Sequence, residues 1–205
     1  MDAKNKVPLS KLMAKILRHK AMDYGISMDS EGYVFIDDLL QLACFKQFRT
    51  TKEDIHEAVA NSDKQRFALT SDGLKVRANQ GHSIDGVIDE HALLEELTAA
   101  RVAELTSGTG LVYHGTYLKA LGFIEEEGLC RMARTHIHFA TAYDGSSISG
   151  MRRNCEVVVA VDVVKAMEEG GLVFFRSDNG VILCTGEGER GIISPEFFRT
   201  IIHLK

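Results

Sequence analysis

What most restricts this chain is a change of pattern near its middle. Up to about residue 85 the apolar residues recur at helical spacing and then alternate through one hairpin. Beyond about residue 110 they come in short strand-length runs, of which CEVVVAVDV is the densest. One repeating architecture does not satisfy both halves. Between them lies DEHALLEELTAARVAEL, read as helical, followed by the Gly/Thr-rich TSGTG, the natural place for a boundary. The expectation is an α+β protein of two lobes, residues 1–95 and 96–205.

In the first half, LSKLMAKILRH (9–19) reads as a helix with Ser10 as N-cap and Leu12, Met13, Ile16 and Leu17 as its apolar stripe. SEGYVFIDDLLQLACF reads as turn, short strand and second helix. Thr51 with Asp54 three residues later has capping-box spacing and starts a third. RFALTSDGLKVRANQG is strand, Asp-Gly turn, strand. Short helices followed by a hairpin predict a winged-helix-like lobe. In the second half LVYHGT, THIHFAT, CEVVVAVDV, LVFFRS, GVILCTG and RTIIHL read as strands, with helices at YLKALGFIEEE and VVKAMEEG, a mixed α/β lobe around a β core.

Composition narrows the function classes. With 205 residues, 45% of them hydrophobic, the chain can bury a real core. No run approaches the roughly 18 apolar residues of a membrane span, and MDAKNKVPLSK lacks the apolar core of a secretory signal. Cysteines stand alone at 44, 130, 155 and 184, a usage that fits reduced thiols and not a zinc knuckle. An intracellular protein, cytoplasmic or nuclear, is expected. The net charge of -5 gives no global attraction for nucleic acid, so such a partner needs a local basic cluster.

Several segments offer one. In ILRHK, Arg18, His19 and Lys20 end an apolar helix, either as partners of its dipole or as an anion cradle. In KVRANQGHS, Val76 and Ala78 facing a core would send Lys75, Arg77 and Asn79 to the opposite face, and Gly81 would let the chain reverse and bring His82 and Ser83 to the same mouth. In YHGT, His114 and Thr116 offer directional groups around Gly115, which permits a close backbone approach to a ligand. RTHIHFA, as a strand, places Arg134, His136 and His138 on one face. A metal site, a packed histidine pair and an anion site all remain open there. Metal is disfavoured because Arg134 would repel a cation and no H-E-x-x-H or cysteine pair is near, whereas arginine with imidazoles suits an anion. SSISGMRRNCEV adds Ser147, Ser149, Gly150, Arg152 and Arg153 in a cationic loop, and RSDNGVILCTGEG a polar turn.

Taken in order and spacing, LSKLMAKILRH, GYVFIDDLL, KVRANQGHS, LVYHGT, RTHIHFA and NGVILCTG resemble the RNA 2'-phosphotransferase family, the Tpt1/KptA enzymes, over about residues 9–203. The resemblance implies a winged-helix lobe that binds RNA and an ADP-ribosyltransferase-like lobe that binds NAD. No metal is expected, from the residues already described. Its reaction removes an internal RNA 2'-phosphate, such as that at a tRNA splice junction. The phosphate attacks C1'' of the NAD ribose and expels nicotinamide. The neighbouring O2'' then attacks phosphorus, releasing RNA with a 2'-hydroxyl and ADP-ribose 1'',2''-cyclic phosphate. The family's Arg-His-Arg-Arg set matches Arg18, His19, Arg77 and Arg134, a cationic clamp with His19 also managing the proton at the leaving 2'-oxygen. Lys20, Lys75, Asn79 and His82 join the RNA-phosphate side. Tyr113, His114, Gly115, Thr116, His136, His138, Ser147, Ser149, Gly150 and Arg152 are assigned to NAD. A monomer with no membrane partner is expected. Two other readings are weighed: an ADP-ribosyltransferase acting on nucleic-acid terminal phosphates or protein, and a non-enzymatic winged-helix nucleic-acid-binding module.

Overall fold

A computed structural model describes residues 3–84, 86–144, 151 and 154–204, with side chains from Leu9 onward. The backbone separates into two compact units, Met1–Leu93 and Leu94–Lys205.

In the first unit, helix α1 (Ala3–Lys15) runs directly into a π-helical turn, Ile16–Lys20, and then a 3-10 turn, Met22–Tyr24, closed by Gly25 at φ 67°. Ser10 is therefore inside α1 and does not cap it. Ala3, Lys4 and Lys6 are good helix formers, and the helix that they open runs on through Pro8 to the apolar stripe. Strand β1 (Val34–Phe35) leads into α2 (Ile36–Gln41) and α3 (Ala43–Gln47), which are parted by Leu42 in an extended conformation. The Thr51–Asp54 capping box forms in both directions and opens α4 (Lys52–Ala60). Strands β2 (Phe67–Leu69) and β3 (Lys75–Ala78) make the expected hairpin, β1 adds to β3, and α5 (Glu90–Leu93) ends the unit. The sheet order is β1-β3-β2, all antiparallel. Met13, Ile16, Leu17, Ile36, Leu39, Phe45, Ile55 and Val76 are fully buried in one core. Each such side chain contributes about 1.5–3 kcal/mol of burial free energy.

The second unit begins with β4 (Glu95–Glu96) and α6 (Ala99–Leu105), then β5 (Leu111–Thr116), α7 (Leu118–Glu127), β6 (Leu129–Cys130) and β7 (Ile137–Phe139). It continues with β8 (Val157–Asp162), α8 (Val163–Glu168), β9 (Phe174–Arg176), β10 (Ile182–Cys184), β11 (Ile192–Ile193) and β12 (Phe198–His203). Among the described residues the strands form antiparallel sheets of order β12-β8-β5, β4-β9-β10-β7 and β11-β6. Val157 to Val161 are all fully buried, so β8 is covered on both faces, as its unbroken apolar run requires. A pair of hydrogen bonds between Tyr113 and Ala140, each 2.9 Å, joins β5 to the end of β7 and thereby links the two larger sheets.

One expectation fails here. The segment read as a continuous helix is broken by β4, because Glu95 and Glu96 pair with Arg176 and Phe175 on β9. The Glu95 carboxylate then accepts from Arg101 Nε at 2.9 Å and from Arg176 at 3.3 Å. Sheet pairing and these ion pairs override a helical pattern. Strands β6 and β11 were also missed, since two-residue strands carry no periodicity. No described helix is long and apolar enough to cross a membrane.

Candidate functional site

In the first unit the site is assembled around the end of the first helix. Its π turn is five residues, ILRHK, with Ile16 and Leu17 fully buried, Arg18 half-buried and His19 and Lys20 exposed. Such turns are frequent at functional sites. Carbonyls at a helix end lack intrahelical partners, and that of Arg18 accepts from the Ser83 N–H at 2.9 Å. The Ser83 hydroxyl lies 2.8 Å from His19 Nδ1. These two bonds tie ILRHK to the end of RANQGHS, segments far apart in sequence. Lys20 is turned aside to Asp23, at 2.6 Å.

Strand β3 keeps Val76 and Ala78 in the core, and Lys75 and Arg77 lie on the other face as alternation requires. That face is not open. The turn DSEGY, residues 29–33, covers it. Arg77 is 7% exposed, its guanidinium lying 4.7 Å from the centre of the Tyr33 ring and donating at 3.3 Å to both the carbonyl and the carboxylate of Glu31. Lys75 donates to Asp29 at 3.0 Å. A Cβ at position 32 would lie 3.5 Å from His82 Nε2, so the buried His82 packs against Gly32 of the same turn. Asn79 is buried as well, and its side-chain amide donates to the Gln65 carbonyl at 2.8 Å. The role of residues 29–33 was missed in the sequence reading. The available signal was an acid-rich Gly turn with an aromatic residue immediately before β1.

In the second unit the candidate residues gather where β5 meets β7. His114 Nδ1 lies 2.9 Å from the His138 carbonyl oxygen. A carbonyl only accepts, so Nδ1 carries the proton and a neutral ring presents Nε2 as an acceptor. The ring meets Phe139 edge-on, with centroids 6.0 Å apart. Arg134 reaches His138 Nδ1 at 3.5 Å, a long bond in which the guanidinium donates. A neutral His138 then bears its proton on Nε2. His136 Nδ1 is 2.8 Å from the Thr135 hydroxyl, and its ring packs edge-on against Phe175. His136, His138 and Thr116 are buried. Tyr113 stacks obliquely on Tyr143 at 4.9 Å, and burial first, then that neighbour, raise its phenol above the ordinary value of 10.0. The phenol is therefore a neutral hydrogen-bonding group at physiological pH.

Two expectations change in this region. RTHIHFA is a strand only from Ile137, and Arg134 stands exposed in the turn before it. Its approach to His138 comes from the turn, not from strand alternation. Gly115 allows a close approach, but the neighbours that occupy the space are Met151 Cγ, 2.6 Å from a Cβ placed there, and Cys155 Sγ at 2.9 Å. Ser147, Ser149, Gly150 and Arg152 lie outside the described residues. No group of three or more metal-ligating side chains occurs among the described residues.

Comparison with known proteins gives a match to the protein-family model described as RNA 2'-phosphotransferase, Tpt1 / KptA family, over residues 4–186. The chain is 39% identical to tRNA 2'-phosphotransferase 1 of Danio rerio over 97% of its length and 86% of that protein. It is 40% identical to the Mus musculus protein of the same name, over 97% of this chain and 78% of that one. Similarity extends to bacteria: the probable RNA 2'-phosphotransferase of Nostoc punctiforme is 34% identical over 95% of this chain and 97% of that protein.

Proposed function

The chain belongs to the RNA 2'-phosphotransferase, Tpt1/KptA family, and from that membership we infer that it transfers an internal RNA 2'-phosphate to NAD. The products are RNA with a 2'-hydroxyl, nicotinamide and ADP-ribose 1'',2''-cyclic phosphate. The observation that carries this reading is the family match itself, which spans every residue assigned to the chemistry, from Arg18 to Arg134. Residues 1–95 are read as a winged-helix RNA-binding lobe, a reading supported by short helices followed by the antiparallel β1-β3-β2 sheet. Residues 96–205 are read as the ADP-ribosyltransferase-like, NAD-binding lobe. Spliced tRNA is the proposed RNA.

The roles follow from chemistry. Arg18 and Arg77 are assigned to the 2'-phosphate because guanidinium groups can hold phosphate oxygens in pairs. His19, oriented by Ser83, is assigned to the proton at the leaving 2'-oxygen. Lys20, Lys75, Asn79 and His82 are assigned to the RNA side in supporting roles, Asn79 and His82 as buried residues. Arg134 is the second unit's cation for the phosphate. Charge grows on the phosphoryl oxygens in the second step, so these cations favour the transition state over the ground state.

The β5–β7 residues fit a nicotinamide nucleotide: a buried threonine hydroxyl, two histidines with defined donor and acceptor edges, and a phenol kept neutral. NAD supplies an electrophilic ribose carbon whose leaving group departs uncharged. Tyr113, His114, Gly115 and Thr116 are proposed to hold it, with His136, His138, Ser147, Ser149, Gly150 and Arg152 completing the contacts. The test is a product assay with NAD and an RNA carrying one internal 2'-phosphate. RNA 2'-hydroxyl and the cyclic phosphate are expected only when NAD is present. Persistent ADP-ribosylated RNA with no 2'-hydroxyl product would count against the reading.

A further inference from the structure

We propose that Arg131 is the positioning residue for Arg134, acting through a loop of the chain, residues 185–191, that serves as its socket. The proposal rests on the reading of Arg134 as a phosphate-binding cation. Arg134 poses a physical problem for that role. It is exposed and lies in a turn, outside β7, so no sheet ladder holds its backbone. A catalytic cation displaced by about 1 Å can lose on the order of a hundredfold in rate. Something must hold the turn.

Arg131 does so with both terminal nitrogens of its guanidinium. One terminal nitrogen donates to the Arg134 carbonyl at 2.9 Å and the other to the Glu189 carbonyl at 2.9 Å. Its backbone N–H donates to the Gly191 carbonyl at 3.0 Å, and the Arg134 N–H returns to the Arg131 carbonyl at 3.3 Å. The turn between them contains Met132 at φ 59°, an uncommon conformation for a side-chain-bearing residue, whose N–H meets Cys130 Sγ at 3.4 Å. A conformation of that kind persists where its surroundings over-determine it.

The sequence TGEGERG is shaped to receive Arg131. Gly191 has φ 60°, and a Cβ there would overlap the Arg131 side chain and the Thr185 carbonyl. Gly186, at φ 68°, is closed to a Cβ by the Gly191 backbone. The loop is itself anchored: Arg190 pairs with Glu127 on α7 at 2.6 Å, and Cys130 Sγ donates to the Arg190 carbonyl at 3.1 Å. A planar fork can bridge two carbonyls held apart in this way. A lysine ammonium, a single point on a flexible stem, does not reproduce that geometry.

The experiment uses the full chain with NAD and 2'-phosphorylated RNA, and compares Arg131→Lys, Arg131→Ala, Gly191→Ala and Arg134→Ala. Arg131→Lys, which keeps charge and stem, is expected to retain the wild-type melting profile. Its kcat for RNA 2'-hydroxyl formation should fall about 10- to 100-fold, while KM for NAD changes less than about threefold. ADP-ribosylated RNA should accumulate, as in Arg134→Ala. Gly191→Ala presses on the same contact from the other side, and its combination with Arg131→Ala should be no slower than the slower single variant. Wild-type kcat in Arg131→Lys overturns the proposal, as does a loss that appears equally in KM for NAD. If the unmodified chain forms no RNA 2'-hydroxyl, the functional reading itself fails. If it does, and Arg134→Ala is impaired while Arg131→Lys is not, the positioning role alone fails.

Discussion

At the scale of single residues, Arg77 is the most constrained of the proposed cations. Tyr33 backs its guanidinium, and Glu31 takes one of its nitrogens through both backbone and side chain. Arg77→Lys loses the guanidinium's contact with the Tyr33 ring and its planar fork together, so phosphate removal is expected to drop at least tenfold with KM for NAD unchanged, as read in steady-state kinetics. Glu31 acts in the opposite sense, as an anion already resting on the cation proposed for phosphate. Glu31→Gln keeps the backbone carbonyl contact and removes the competing charge, so KM for 2'-phosphorylated RNA should fall severalfold. A rise instead would mean that Glu31 chiefly orients Arg77. The polar run from Lys75 to Ser83 was legible as a cluster because so many polar residues crowd nine positions. Which of them face a ligand was not legible. Asn79 and His82 are turned inward, toward partners that lie in other segments.

At the scale of elements, β4 shows how tertiary pairing defeats a local pattern. Glu95 is held on β9 by its ladder and by Arg101 and Arg176, and the hydrogen bond from Arg101 is the largest cause of a carboxyl pKa below the ordinary 4.5. The sign of the effect on stability follows directly. A depressed carboxylate pKa contributes stability above the ordinary value, and that contribution is lost as pH falls through the depressed one. Glu95 is well exposed, so the effect is a few tenths of a kcal/mol to about 1. Amide exchange at Glu96 should therefore quicken, relative to the core strand β8, as pH falls below the ordinary carboxyl value of 4.5, and Glu95→Gln should abolish that extra acid sensitivity. An acid response unchanged in Glu95→Gln would assign it to another group. The capping box of α4 and the continuous apolar run of β8 were readable because each is a local signal with a fixed spacing. The π turn carrying Arg18 was not, since its sequence is that of an ordinary helix end.

For the whole molecule, charge and cores set the expectations. With a net charge of -5, RNA can be held only where cations are concentrated. If two or three phosphates are engaged, log Kd against log salt should have a slope of about 1.5–2 in magnitude for single-stranded RNA. A slope beyond about 4 would mean a far wider contact surface. Each unit has a hydrophobic core of its own, one centred on Met13, Leu17 and Phe45, the other on Phe139, Val159 and Phe174. Residues 1–93 expressed alone should therefore melt cooperatively in calorimetry. A non-cooperative transition would mean that this core is insufficient without the rest of the chain.

The sequence alone determined the α+β class, the family, and which segments are densely polar. These are carried by period, spacing and residue type, which are properties of neighbours along the chain. Tertiary structure decided that a turn and not a strand presents Arg134, that DSEGY covers Arg77, that Ser83 steadies His19, and that a glycine-built loop holds Arg131. The last three are hydrogen bonds or close approaches between segments distant in sequence, and no local pattern specifies which donors and acceptors folding will bring within 3 Å or so of one another.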